Sequence, residues 1–235
     1  MAREDLEIGV DEAGRGAVLG PMVMAACGLS PDSARALEEI GVADSKSFGA
    51  PERAQSKRAA LSEEIRLKAD WWSIEVVSPT EVDAAVRAGG LNSLERRVAE
   101  ALLAGAPIWA RVVLDGVKLF GPLAAHLPRA EARNHADASC LPVAAASILA
   151  KTERDRIFSS IRAAYEPRFG PILGEGYPNP ATERFLEAYF DSVGALPPET
   201  RLSWAWKPVA CRTAGGGSGG SMPFIFGDRN QIDKG

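Results

Sequence analysis

Gly9-Val10-Asp11-Glu12-Ala13-Gly14-Arg15-Gly16 is the stretch on which the reading of this chain turns. Residues 7–10 read as a short strand and the apolar run 22–29 as another, so the glycines between them mark a corner. Two neighbouring carboxylates at a strand end repel each other unless a cation compensates them, which makes a divalent metal one reason for Asp11 and Glu12. Adjacent side chains of a regular strand point to opposite faces, so both can serve one site only if the chain bends there. Gly14 and Gly16 permit a bend and let bare backbone approach a ligand, and Arg15 between them suits a phosphate. An exposed acidic strand end followed by a glycine turn reads these eight residues equally well.

Outward from this corner, strands and helices alternate. Residues 72–77 and 111–114 read as two further strands, and 51–68, 80–88 and 91–104 as helices. The longest helix is expected over 142–165, with Pro142 tolerated because the first helical amide has no intrahelical partner. A last helix, 181–190, follows the turn-rich Gly174-Glu175-Gly176-Tyr177-Pro178-Asn179-Pro180. This order predicts an α/β fold, a sheet layered with helices. Residues 1–214 are expected to form the folded unit, and 215–235, opening Gly-Gly-Gly-Ser-Gly-Gly-Ser, a flexible linker and tail.

Composition narrows the function classes. At 235 residues, with 46% hydrophobic and 25% charged, the chain is an average globular protein, not collagen-like, disordered or a disulfide scaffold. Its 27 bases against 31 acids give a net charge of −4, which excludes a general basic coat for nucleic acid. A polyanion would have to be held locally or through metal ions. Residues 1–12 carry one base against five acids, whereas 46–68 carry six bases against three acids. The three cysteines, Cys27, Cys140 and Cys211, form no C-x-x-C pair, so reduced thiols in a cytoplasmic protein are expected, with no zinc site. No secretory signal is expected, since the first residues lack its apolar stretch, and no apolar run reaches the length of a membrane span. His126 and His135 have no ligand spacing to the cysteines, and no Ser/His/Asp or Cys/His arrangement supports covalent hydrolysis.

Further carboxylates and polar groups sit at element ends. Asp115 closes a strand before Gly116, as either a site residue or a turn-initiating Asp-Gly. Asp137 lies just before the longest helix, as either a site carboxylate oriented by the helix start or a favourable cap or dipole partner. Ser147, Lys151 and Arg154 share one helix face by their spacing, a solvated face or one that meets phosphates. Lys46, within Asp44-Ser45-Lys46-Ser47, adds a base in a loop, and Tyr177 is a turn aromatic that packs or stacks on a sugar or base.

These motifs in this order resemble type 2 ribonuclease H (ribonuclease HII): Asp-Glu-Ala-Gly-Arg-Gly at 11–16 with Gly20-Pro21, Asp44-Ser45-Lys46, Asp115, Ala136-Asp137, Ala145-Ala146-Ser147-Ile148-Leu149-Ala150-Lys151 with Arg154-Asp155, Gly176-Tyr177-Pro178 and Arg201-Leu202-Ser203-Trp204. The match spans residues 8–209. Where bacterial members carry Gly-Tyr-Gly-Thr and then a His, this chain has Gly176-Tyr177-Pro178-Asn179-Pro180 and Thr182, so its C-terminal motifs look closer to archaeal and eukaryotic catalytic chains. The resemblance implies a ribonuclease H-like α/β fold, a mixed sheet flanked by helices, with a C-terminal helical region. It implies cleavage of the RNA strand of RNA/DNA hybrids and of ribonucleotides embedded in duplex DNA, leaving 3′-hydroxyl and 5′-phosphate ends. Asp11, Glu12, Asp115 and Asp137 would be both catalytic and metal ligands for two Mg²⁺ or Mn²⁺ ions. Gly14, Arg15 and Gly16 would meet the 2′-hydroxyl region, Tyr177 the neighbouring sugar, and Lys46, Ser147 and Lys151 the backbone phosphates. A monomer acting on these duplexes is expected, with no membrane partner. Another metal-dependent nuclease of this fold and a non-catalytic nucleic-acid-binding protein are the competing readings.

Overall fold

The computed structural model of the chain describes residues 5–43 and 51–213. In chain order its elements are β1 (Glu7–Ala13), β2 (Met22–Leu29), α1 (Pro31–Glu39), α2 (Pro51–Lys68), β3 (Trp71–Val77), α3 (Pro79–Arg87), α4 (Leu91–Leu103), β4 (Arg111–Asp115), α5 (Val117–Ala124), β5 (Ala130–Arg133), α6 (Leu141–Phe169), α7 (Pro180–Val193) and α8 (Lys207–Thr213). A short 3₁₀ turn, Ala136–Ala138, precedes α6. The strands lie in the order β3-β2-β1-β4-β5, with β1 antiparallel to β2, β2 antiparallel to β3, and β1-β4-β5 parallel. The sheet is therefore mixed, and helices cover both faces.

Strand alternation sorts the core. Ile8, Val10, Met22, Met24 and Ala26 pack with residues of α3, α4 and α5, such as Val82, Leu102 and Phe120. Ala13, Val23, Ala25, Cys27 and Leu29 face the opposite way and pack on α6 and α2 through Ala144, Ala145, Ile148, Leu149, Leu61 and Ile65. Contact between β1 and α6 is close because both sides are slim: a Cβ on Gly9 would overlap the backbone of Pro142 and Val143. The second half of α6 enters another cluster, where Tyr165 and Phe169 meet Phe185 and Tyr189 of α7.

Several boundaries differ from the sequence reading, for local reasons. The first strand does not stop at residue 10: Asp11, Glu12 and Ala13 keep their ladder positions opposite Ala25, Met24 and Val23. Helix α6 starts at Leu141 and runs 29 residues, a turn beyond the expected end, stopping at Gly170 with φ +77°. Helix α7 begins at Pro180 because the Asn179 side chain accepts from the Ala181 and Thr182 amides. α1, α5, β5 and α8 have no counterpart in the reading; β5 is four residues long, and Gly121-Pro122 interrupts the apolar pattern of α5. No helix among the described residues is long and apolar enough to cross a membrane.

Candidate active site

Parallel pairing of β1 and β4 brings the first carboxylates together. The last paired residues are Val10 and Leu114, so Asp11 and Asp115 come next on both strands and leave the same face. Asp115 Oδ1 accepts from the Ala136 amide at 3.0 Å, which fixes the 3₁₀ turn bearing Asp137 beside the strand end. Glu12, one residue further along β1, points to the other face as strict alternation requires, towards α4. The expected bend between Asp11 and Glu12 is absent, and the chain turns only from Gly14 onward.

The two faces nonetheless share an electrostatic site. Burial pushes the Asp11 carboxyl up to about 6, with Asp115 adding to the rise while Ser147, the Glu12 amide and Lys151 pull it back. Glu12 is pushed up to about 8, first by burial, then by Asp11, Glu95 and Asp115, against Arg15. Among the described residues no group of three or more His, Cys, Asp and Glu side chains closes as a formed metal centre. The donor chemistry still fits a divalent cation, since Asp11, Glu12 and Asp115 are all-oxygen groups that hold one another's charge at a cost a cation would remove.

Beyond the carboxylates the chain makes a tight turn, in which the Ala17 amide donates to the Gly14 carbonyl at 3.2 Å. Gly14 has φ +77°, and a Cβ there would overlap the Arg154 side chain. Arg15 is tethered backwards to α4, with Nε donating to Glu95 Oε1 at 2.7 Å and Nη2 to Asn92 Oδ1 at 2.6 Å. Gly16 stays exposed beside the Tyr177 ring. Gly14, Arg15, Gly16 and Tyr177, with Glu12, Lys151 and Arg58, line an open cleft of about 370 Å³.

Of the expected phosphate contacts, Lys151 is exposed in the cleft and donates to Ser147 Oγ at 2.8 Å. Ser147 departs from that expectation: it is 1% exposed beneath Asp11, so it supports the carboxylate and Lys151 and offers no open hydroxyl to a phosphate. Arg154, expected on a face that is solvated or meets phosphates, is buried instead: Nη2 donates to the Glu175 carbonyl at 2.6 Å and the guanidinium lies 5.0 Å from the Tyr177 ring centre. Lys46, with Asp44, Ser45 and Ser47, lies outside the described residues.

The Ribonuclease HII family pattern matches residues 8–207, which covers every site residue described above. The chain belongs to the ribonuclease HII family. Its relatives include a ribonuclease HII of Thermococcus sibiricus, 35% identical over 206 residues, 83% of this chain and 87% of the relative. Among solved structures, the ribonuclease H2 of Pyrococcus horikoshii OT3 is 30% identical with a TM-score of 0.75, covering 89% of this chain and 97% of that one. The ribonuclease HII of Archaeoglobus fulgidus, solved in a complex with PCNA, is 30% identical with a TM-score of 0.71, covering 85% and 95%. The fold is thus the ribonuclease H-like fold of the ribonuclease HII structures, and the chain is an enzyme of the type 2 ribonuclease H class, which hydrolyses RNA in RNA/DNA hybrids.

Within this ribonuclease HII, the sequence reading missed Glu95. It occupies a fully buried position on the face of α4 that carries Leu94, Ala99 and Leu102. A charged residue inside an apolar helical stripe was the available signal. Arg201 was noted only as part of a motif, yet its side chain is wholly buried against the glycine turn.

Proposed function

We propose that this protein is a divalent-metal-dependent endonuclease that cuts the RNA strand of RNA/DNA hybrids and also single ribonucleotides embedded in duplex DNA, leaving 3′-hydroxyl and 5′-phosphate ends. The observation that carries this reading is that β1 and β4 bring Asp11 and Asp115 to one face at their ends, with Glu12 electrostatically coupled to both from the next position, directly before a glycine turn in which Gly16 is exposed. Asp11, Glu12, Asp115 and Asp137 would hold two Mg²⁺ or Mn²⁺ ions, which supply an acidified water and positive charge for the leaving 3′-oxygen.

The chain's own groups do the positioning. Ser147 and the Glu12 amide, which donates to Asp11 Oδ1 at 2.8 Å, set the orientation of the Asp11 carboxylate. The Ala136 amide does the same for Asp115. Lys151 offers an ammonium to a backbone phosphate, with Lys46 in the same role. The backbone of Gly14, Arg15 and Gly16 reads the 2′-hydroxyl that distinguishes RNA from DNA, and Tyr177 packs on the next sugar. A monomer is sufficient for this arrangement. The test is cleavage of an end-labelled duplex carrying one ribonucleotide, with and without Mg²⁺, beside an all-DNA duplex. A metal-dependent cut at that nucleotide alone is expected; equal cutting of the all-DNA duplex would replace this reading with a DNA nuclease.

A further inference from the structure

Arg201 is the largest side chain in the described residues that is fully shielded from water. Its guanidinium is spent on carbonyl oxygens 181 to 187 positions away in sequence: Nη2 donates to Gly14 O at 2.7 Å, Nη1 to Arg15 O at 2.9 Å and Nε to Gly20 O at 3.1 Å. The Arg201 amide donates to Val18 O at 2.8 Å, and the Trp204 ring centre lies 5.1 Å from the guanidinium carbon. The segment is itself anchored, because buried Asp83 of α3 accepts from the Leu202 and Ser203 amides at 2.8 and 2.9 Å and from the Ser203 hydroxyl at 2.6 Å.

A buried charge is a poor device for stability alone, since apolar groups of similar volume commonly serve as well or better. What a guanidinium does that an apolar group cannot is aim several carbonyls at one point. A trans peptide is planar, with its N–H opposite its C=O. The peptides whose oxygens turn inward to Nη2 and Nη1 are Gly14–Arg15 and Arg15–Gly16. Their N–H groups, those of Arg15 and Gly16, are therefore turned away from Arg201, towards the cleft that both residues line. The third peptide ends in Pro21 and has no N–H to present.

We infer that Arg201 is a positioning residue for substrate selection: by gripping the Gly14 and Arg15 carbonyls from behind, it presents the Arg15 and Gly16 amides as donors to a ribose 2′-oxygen. The inference rests on the reading of the glycine turn as the 2′-hydroxyl site. Lysine keeps the charge but cannot span three carbonyls in a fixed fork, so the turn would lose its aim while the core stays filled.

The experiment compares duplexes with one ribonucleotide and with one 2′-deoxy-2′-fluoro nucleotide at the same position, the fluorine being a weak acceptor of the same placement. The ratio of their kcat/KM values cancels the amount of folded enzyme, so a merely structural defect leaves it unmoved. In the native protein a ratio well above ten is expected. In Arg201→Lys, folded by circular dichroism and binding Mn²⁺ within twofold of native by calorimetry, the ratio is expected to fall at least tenfold. Asp83→Asn, which loosens the anchor from outside the cleft, is expected to lower it in the same direction by a smaller factor, and decides the matter if Arg201→Lys does not fold. A native ratio with no change in the deciding variant would overturn the role of Arg201. A native ratio near one would overturn the reading of the turn itself, and this inference with it.

Discussion

At the scale of single residues, the site is defined by carboxylates held where water does little for them. Asp11 is pushed from 3.8 to about 6 and Glu12 from 4.5 to about 8, so in both the neutral form is favoured by folding. The resulting stability is complete below the unfolded values and is lost as pH rises through the folded ones. The metal-free protein should therefore be less stable at pH 8 than at pH 5. Asp11→Asn should remove part of that loss, gaining about 1 to 3 kcal/mol over the native chain at pH 8 and little at pH 4, read from urea denaturation in EDTA. The same substitution should lower Mg²⁺-dependent turnover by about 10³-fold or more while hybrid binding stays within severalfold, since only the metal chemistry is removed. Undiminished turnover would take Asp11 out of the site. Tyr177→Ala should slow cutting at one embedded ribonucleotide at least tenfold more than cutting of a long hybrid, and an equal loss on both would reduce Tyr177 to packing. Asp11, Glu12 and the glycines stood out in the sequence because unusual residue types are adjacent there. Glu95 and Arg201 did not, since their partners lie 80 and more positions away and no local pattern encodes such a distance.

At the scale of elements, the decisive contact is β1 against the start of α6. Gly9 allows it, and Gly9→Ala should destabilise the protein by about 2 kcal/mol or more, because the obstruction is backbone that cannot step aside. Gly105→Ala is the matched control: its added Cβ meets open space, and denaturation midpoints should barely move. β2 and the first turns of α6 were legible as apolar runs of strand and helix length, buried on every side and bounded by glycine and proline, not by any alternation. Ends were less so. The carboxylates in β1 look like a strand terminus by composition, yet the β2 ladder holds them in register. Four residues of β5 carry too little pattern to separate them from a loop.

At the scale of the molecule, the net charge of −4 equals the charge of the four proposed ligands when ionised. Millimolar Mn²⁺ should accordingly raise the melting temperature at pH 8, increasing with concentration, and the increase should be largely absent in Asp11→Asn. A rise of equal size in the variant would place the bound ions elsewhere. The fold class followed from the alternation of elements, whereas the strand order and the fastening of residues 199–204 onto the glycine turn depend on contacts that only the folded chain reveals. One such feature is the length of α6. Its first turns hold Ser147 under Asp11, Arg154 lies two turns on, and Tyr165 and Phe169 are sunk among the aromatics of α7. The helix is thus a lever that bears on the proposed catalytic carboxylate, Asp11, at one end, with the C-terminal region as its counterweight. A chain cut before Pro180 would leave that aromatic end hanging in water, and the resulting fraying would travel along the rod towards Asp11, so damage nowhere near the cleft would be felt in catalysis.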